Sequence, residues 1–331
     1  MSNKSEIRRD IVSGIWVIIA PGRLRRPHQF VRKKMRRREG KSNCPFEDLP
    51  RHVPWPPYIA YPDLEGWQIV FVANKYPALL PGKVCPTIRK RGIYQSLTGK
   101  GRHELVITRD HDKNIAHLTP SLAFQFFLLL QQRYREFRKD PCIKYVSMFF
   151  NWGPSAGASV YHPHYQLVGL PIIPPDILHS LDGSRRYFQK SRACVHCAIV
   201  NYELKNRVRL VAKAKHAVAL APFAPTHHFE VKIFPRQHFP SFEETPEEVV
   251  QDVATLLQEV LCRIEENLGD PDLNFYLHTA PLKPKNAYHY YHWHISIAPN
   301  IAMDAGFELG TGMQIIHVFP EETPKALRKK K

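Results

Sequence analysis

The stretch Asn151-Trp152-Gly153-Pro154-Ser155-Ala156-Gly157-Ala158-Ser159-Val160-Tyr161-His162-Pro163-His164-Tyr165-Gln166 decides how the chain is read. Its first half is a loop of small residues, Gly153, Ser155, Gly157 and Ser159. Backbone N–H groups in such a loop can approach an anion closely and cradle a phosphate. Its second half is extended, because Pro163 holds its own φ near the polyproline value and turns the preceding residue away from helix. Alternate side chains of a strand share a face, so His162, His164 and Gln166 are expected side by side, just beyond a phosphate-sized loop. A histidine so placed can take up a phosphoryl group through one ring nitrogen while its other N–H is held elsewhere. The alternative is a metal site or a surface histidine cluster without chemistry.

The pattern Asn-x-Gly-x-x-x-Gly-x-Ser-x-x-His-Pro-His-x-Gln resembles the active-site motif of the galactose-1-phosphate uridylyltransferases and their relatives in the histidine-triad superfamily. These enzymes transfer nucleoside monophosphates. The resemblance implies that His164 is the nucleophile, that Gln166 holds the transferred phosphoryl group, and that Asn151, Gly157 and Ser159 support the phosphate. It also covers Arg9-Asp10, Gly14-Ile15-Trp16-Val17 and Pro21 to Pro27, where Arg23 and Arg26 match arginines that reach the nucleotide phosphates. A guanidinium fork suits phosphate oxygens. Asn74 opens an element similar to one lying under the base and ribose. Many uridylyltransferases carry Asp where Lys75 stands, so the base preference does not carry over. Near the other end, Glu308 in Ala305 to Gly312 matches a sugar-binding glutamate, in a region that often works across a dimer interface.

Working outward, the chain reads as a duplication. Cys44-Pro45-Phe46-Glu47 is answered by Cys194-Val195-His196-Cys197, and Arg109-Asp110-His111 by Arg236-Gln237-His238. Tyr161-His162-Pro163-His164 is answered by Tyr291-His292-Trp293-His294. The spacing agrees as well, 51 residues from His111 to His162 and 54 from His238 to His292. The expected fold is α+β, two tandem domains of histidine-triad type over 1–175 and 176–331. Each is expected to have an antiparallel sheet and one long helix. The helices are read from Thr119-Pro120 to about Arg138, with Leu122, Phe126, Leu129 and Leu130 on one side, and from a Thr245–Glu248 capping box to Gly269. Strands are read at Glu104 to Thr108, Ile143 to Phe150 and Leu273 to Leu277, and Asp176 to Ala193 as linker.

The copies differ in chemistry. Leu282-Lys283-Pro284-Lys285-Asn286 stands where the first copy has its glycine-serine loop, so His294 is not expected to be a nucleophile. The second copy keeps both cysteines, and Cys194, Cys197, His238 and His292 form a Cys₂His₂ set suited to structural zinc. The family resemblance implies a second zinc site in the first copy, on Cys44, Glu47, His111 and His162. Glu47 stands there in place of the usual cysteine. One or two Zn²⁺ per chain are therefore expected. Some family members hold iron on a Glu and three histidines; His278, His292 and His294 match the histidines, and no Glu matches.

The 331 residues are 44% hydrophobic, enough for two cores. The net charge of +17, from 47 basic and 30 acidic residues, favours polyanionic partners. A nucleotide sugar and a sugar 1-phosphate fit that charge; nucleic acid is possible and not favoured, and a homodimer is possible. The runs Arg32 to Arg38 and Arg328 to Lys331 read as a mobile basic loop and a solvated tail. There is no apolar run long enough to span a bilayer and no signal-peptide core, which reads as a cytoplasmic protein. Six cysteines do not suggest a disulfide framework. The expected activity is transfer of a nucleoside monophosphate between a nucleotide sugar and a sugar 1-phosphate through a nucleotidyl-histidine. Alternatives are phosphorolysis of an ADP-sugar or dinucleoside polyphosphate, and a nucleotide- or RNA-binding protein that has lost catalysis.

Overall fold

The computed structural model describes residues 4–25 and 38–328. Arg26, most of the basic run Arg32 to Arg38, and the last three residues of the tail lie outside the described residues. In chain order the first part forms β1 (Glu6–Arg9), β2 (Trp16–Ile19), α1 (Leu49–His52), β3 (Ile59–Tyr61), β4 (Ile69–Ala73), β5 (Ile88–Arg91), β6 (Tyr94–Leu97), β7 (Arg102–Thr108), α2 (Pro120–Lys139), β8 (Tyr145–Trp152) and β9 (His164–Leu170). The second part forms α3 (Pro175–Ser191), α4 (Val195–Asn206), β10 (Leu210–Lys213), β11 (Ala217–Leu220), β12 (Val231–Pro235), α5 (Glu247–Leu268), β13 (Leu273–His278), β14 (His294–Pro299), α6 (Gly306–Thr311), β15 (Gln314–Ile316) and α7 (Thr323–Ala326).

Ten strands make one sheet, in the order β10-β11-β12-β14-β13-β8-β9-β7-β4-β3. The order is palindromic: each strand of the first copy has its counterpart at the mirrored position. All the pairings are antiparallel, and the two copies join where β13 lies against β8, with Asn274 opposite Asn151 and Leu277 opposite Met148. The duplication read from sequence is thus built as two five-stranded halves sharing hydrogen bonds across the middle. β15 pairs parallel to β2, which ties the end of the chain to its beginning.

One face of the sheet carries the main core. Phe71, Val106, Phe150, Tyr165, Phe275, Ile295 and Val231 point into it and meet α2 and α5. α2 starts as its sequence dictates: the Thr119 side chain accepts from Leu122 N, Pro120 fills the first turn, and Arg138 and Lys139 sit in the last. α5 ends at Gly269, as expected. Its start differs from expectation. Pro246 occupies the N-cap position, and Thr245 makes no capping bond. The Thr245 hydroxyl instead donates to Ser241 O and accepts Trp293 Nε1–H at 2.7 Å, because this threonine is buried among groups that need it more.

The span read as linker, Asp176 to Ala193, is mostly helix α3. Pro175 sits in its first turn, where the missing N–H is no loss. Gly183 is required by packing: a Cβ there would lie 1.6 Å from the Val12 carbonyl oxygen. Ile177 and Leu181 then bury against Tyr145 and Tyr291, and this tertiary contact fixes the helix.

Cys85 and Cys142 form a disulfide across 57 residues, which the sequence reading did not anticipate. It ties the exposed segment before β5 to the turn between α2 and β8. Two distant cysteines meet only because β7 and α2 bring these turns to one end of the sheet. In the chain-entropy account, closing a loop of this length stabilises by about 4 kcal/mol. Replacing both cysteines by serine should lower the unfolding free energy by roughly that amount in guanidinium titration. An unchanged midpoint would show that the bridge constrains nothing in the unfolded chain.

Candidate active site

On β9, Tyr165 and Leu167 face the helices, and His164 and Gln166 face the opposite side of the sheet. His162 is not on the strand as expected. β9 begins at His164, and His162 sits in the turn before it, so the two rings take different surroundings. The imidazole of His164 is buried at 7% exposure, with Phe46 edge-on at 5.2 Å. Its Nδ1 lies 3.0 Å from the His162 carbonyl oxygen. A carbonyl only accepts, so Nδ1 carries the proton and Nε2 keeps its lone pair. Burial lowers the pKa of His164 below the ordinary histidine value, against the opposing bond to His162 O, and so favours the neutral ring.

The loop before it is held by residues of the second copy. Ser155 N and Oγ both donate to Asp272 Oδ2, at 2.8 and 2.6 Å. Asn274 Nδ2 donates to Ala156 O and to Asn151 Oδ1, at 2.9 and 2.8 Å, and Asn300 Nδ2 donates to Ser155 O. Gly153 has φ +89°, and a Cβ on it would lie 2.0 Å from Asp272 Oδ1. Only glycine fits that approach. Gly157 turns left-handed beside the Asn151 amide, and Ser159 is exposed.

Asn74 follows β4 and reaches the same face from the other side. Its Oδ1 accepts from Tyr76 N, and its Nδ2 lies 3.2 Å from His103 Nε2. His103 in turn lies 2.9 Å from Gln166 Oε1. His164, Gln166, Asn151, Gly157 and Asn74 are therefore gathered on one sheet face. Arg23 sits in a 3-10 turn after β2, with a buried Nε that has no hydrogen-bond partner among the described residues. Glu308 lies on α6, where its carboxylate accepts from Ala305 N at 3.0 Å; among the described residues no hydrogen bond or ion pair joins it to the His164 group. The sequence reading missed His103, Asp272, Asn274 and Asn300. His103 left no trace, since it stands between Arg102 and Glu104 in the polar start of β7. The other three act only across the join between copies and leave none.

Two clusters of metal-ligating side chains flank the sheet. Cys44, Glu47, His111 and His162 offer ligand atoms that all lie within 4.8 Å of one another, and so do Cys194, Cys197, His238 and His292. In the first, His162 Nε2–H donates to Thr108 O at 2.7 Å and His111 Nε2–H to Glu39 O at 2.9 Å. Both rings therefore turn Nδ1 lone pairs inward. These lie 3.6 and 3.2 Å from Glu47 Oε1, and His162 Nδ1 lies 3.5 Å from Cys44 Sγ. Lone pairs and a carboxylate facing one another, with His111 Nδ1 lacking a donor among the described residues, fit a cation between them. In the second cluster His238 is held in the same way. His238 Nε2–H donates to His289 O at 2.7 Å, and both His238 and His292 place Nδ1 3.4 Å from Cys197 Sγ. Hydrogen bonding from Cys197 lowers the pKa of the Cys194 thiol below its usual value, against the opposing effect of burial. Among the described residues, His278 and His294 belong to no such cluster.

His294, the counterpart of His164, has the same backbone bond, Nδ1 to His292 O at 3.3 Å. Its ring, however, is stacked on both sides, by His278 at 4.7 Å and Phe234 at 4.9 Å, with His196 at 5.1 Å. Burial, then His278 and His196, pushes its pKa well below the ordinary value. The second copy has kept the histidine and closed over it.

A duplicated antiparallel sheet presenting a buried neutral histidine after a glycine-serine loop defines an enzyme of the nucleotidyltransferase class, and the relatives agree. Residues 99–330 match the family described as domain of unknown function DUF4921, and the chain belongs to that family, within the galactose-1-phosphate uridylyltransferase-like group. An ADP-glucose phosphorylase of Arabidopsis thaliana is 33% identical over 98% of this chain and 92% of its own. A galactose-1-phosphate uridylyltransferase of Thermotoga maritima is 25% identical over 98% of both. The crystal structure of an ADP-glucose phosphorylase from Arabidopsis thaliana with bound ADP-glucose covers 99% of this chain and 100% of its own, with TM-score 0.84 and 30% identity. No described helix is long and apolar enough to cross a membrane.

Proposed function

We propose that the chain moves a nucleoside monophosphate from a nucleotide sugar to a phosphate acceptor through a nucleotidyl-histidine on His164. The observation that carries this is the His164 tautomer: the bond from Nδ1–H to His162 O leaves the Nε2 lone pair available on the sheet face beside Gln166. Nε2 attacks the α-phosphorus, the new N–P bond forms, and the bond to the sugar-phosphate oxygen breaks, its electron pair leaving with the sugar 1-phosphate. In the second half an acceptor phosphate oxygen attacks the same phosphorus, and His164 Nε2 leaves with its electron pair. Neutral imidazole needs no separate base. Gln166, Asn151, Ser159, the amides around Gly157, and the guanidinium groups of Arg23 and Arg26 meet the charge that spreads over the phosphoryl oxygens. Asn74 lies toward the nucleoside and Glu308 toward the sugar. The same reading pairs two copies of the chain and divides it into a catalytic part, 1–175, and a part, 176–331, that holds the loop.

Zinc fits both ligand clusters. Cys194, Cys197, His238 and His292 would hold one ion, and Cys44, Glu47, His111 and His162 a second. Bound there, zinc supplies folding energy and fixes the turns that bear His162 and His292.

The acceptor separates two readings. With a sugar 1-phosphate the enzyme is a uridylyltransferase-type transferase; with inorganic phosphate it is an ADP-sugar phosphorylase. The name of the Arabidopsis relative favours the second. Mixing the protein with ADP-, UDP- and GDP-glucose in parallel, and following intact mass, should show a covalent nucleotide adduct with at least one. Adding phosphate or galactose 1-phosphate then discharges it. No adduct with any donor would overturn the covalent reading, and discharge by galactose 1-phosphate alone would remove the phosphorylase.

A further inference from the structure

We propose that His103 is a positioning residue that sets which way the Gln166 amide faces. The proposal rests on the reading of Gln166 as a donor to the transferred phosphoryl group, and adds what makes it one. An amide side chain can present either its oxygen or its nitrogen to a phosphate, and only the nitrogen donates. Something must therefore hold Gln166 with its oxygen turned away.

His103 and Gln166 lie on one face of adjacent strands. Gln166 is opposite Leu105 in the β7–β9 ladder, and His103 is two residues along from Leu105, a diagonal neighbour within reach of long side chains. The tautomer of His103 follows from its surroundings. Ala78 N lies 3.1 Å from His103 Nδ1, and a backbone N–H only donates, so Nδ1 carries the lone pair. The ring proton of the neutral imidazole is then on Nε2. Asn74 beside it has its Oδ1 bonded to Tyr76 N, so it turns its own N–H groups toward His103 and offers that proton no acceptor. Gln166 Oε1, at 2.9 Å, does. His103 Nε2–H therefore donates to Gln166 Oε1, and the Gln166 NH₂ is left to donate to a phosphoryl oxygen on the His164 side. A relay runs from the Ala78 backbone through one imidazole to the amide next to the nucleophile. The counterpart of His103 in the second copy, by strand register, is Glu230, which only accepts when ionised and cannot play this part. The device belongs to the copy that keeps the glycine-serine loop.

Two near-isosteric substitutions divide the two ends of the ring. Asparagine can place its oxygen near the Nδ1 position and keep the acceptor for Ala78 N–H, and it does not reach Gln166. Glutamine can place its NH₂ near the Nε2 position and keep the donor to Gln166, and it loses the Ala78 bond. The readout is the single-turnover rate of adduct formation at saturating ADP-glucose, with KM measured alongside and circular dichroism as the folding control. His103→Asn and His103→Ala should slow adduct formation about 10- to 100-fold with KM little changed, since misdirected donors act on the transition state. His103→Gln should recover most of the rate. In a Gln166→Ala background, His103→Ala should add no further loss, because the two residues act as one. The proposal is overturned if His103→Asn keeps the rate and His103→Gln loses it, which would make His103 only a tether for the Ala78 segment. Losses that multiply in the Gln166→Ala background also overturn it. A normal rate for Gln166→Ala alone overturns it differently, by removing the reading of Gln166 itself.

Discussion

His164→Asn should abolish the covalent adduct and slow nucleotidyl transfer by at least about 10³-fold, in line with removal of a nucleophile elsewhere, while fold and metal content stay close to those of the parent. Asparagine can still donate to the His162 carbonyl, so the start of β9 should keep its shape, and what is lost is the Nε2 lone pair. The two neighbouring histidines cannot substitute. His162 turns its Nδ1 toward Cys44 and Glu47 and gives its Nε2–H to Thr108 O, so neither nitrogen is open to phosphorus. His294 is stacked between His278 and Phe234. The check is intact mass and peptide mapping after incubation with labelled nucleotide sugar. Label found on His162 or His294, or label exchange surviving in His164→Asn, would overturn the mechanism. His162→Asn should instead lower metal content together with activity.

The second large effect concerns the Cys₂His₂ cluster. Metal analysis of the purified protein should give between one and two zinc per chain, and Cys194→Ser should remove close to one of them. Structural zinc contributes about 10–16 kcal/mol of apparent binding energy in small peptides. Even a fraction of that exceeds the net stability of most domains, about 5–15 kcal/mol. Cys194→Ser should therefore lower the melting temperature sharply or leave the protein insoluble. The two sites should also differ. Glu47 offers a carboxylate where Cys197 offers sulfur, so a chelator should strip the Glu47 site first, and Glu47→Cys should slow that release. Parent protein that purifies without zinc, with a melting temperature that added chelator does not move, would sink the assignment.

Much of this architecture could be read from the chain itself. Chemistry-bearing residues announce themselves by type and spacing: the glycine-serine loop with His162 and His164, and the paired ligand sets at near-equal intervals. Local rules fixed α2, whose cap, first-turn proline, apolar stripe and basic end all agree. The duplication was legible for the same reason, since repeated order survives divergence of side chains.

What the sequence alone did not determine is whatever depends on groups far apart in the chain. α3 was read as linker; Pro175 fits a helix start, and Gly183 is required by the Val12 carbonyl packed against it. Thr245 looked like a cap, and burial gave its hydroxyl to Ser241 and Trp293 instead. The disulfide joins turns that only β7 and α2 bring together. The loop before His164 takes its shape from Asp272, Asn274 and Asn300, more than 110 residues later in the chain, because β13 pairs with β8 at the join. Residue type and spacing singled out His162, His164 and the two Cys/His/Glu sets, since their chemistry is intrinsic to the residues. The tertiary structure decided which nitrogen faces the substrate side and which faces the metal cluster, since a neutral imidazole's proton goes wherever a carbonyl or amide is placed to receive it.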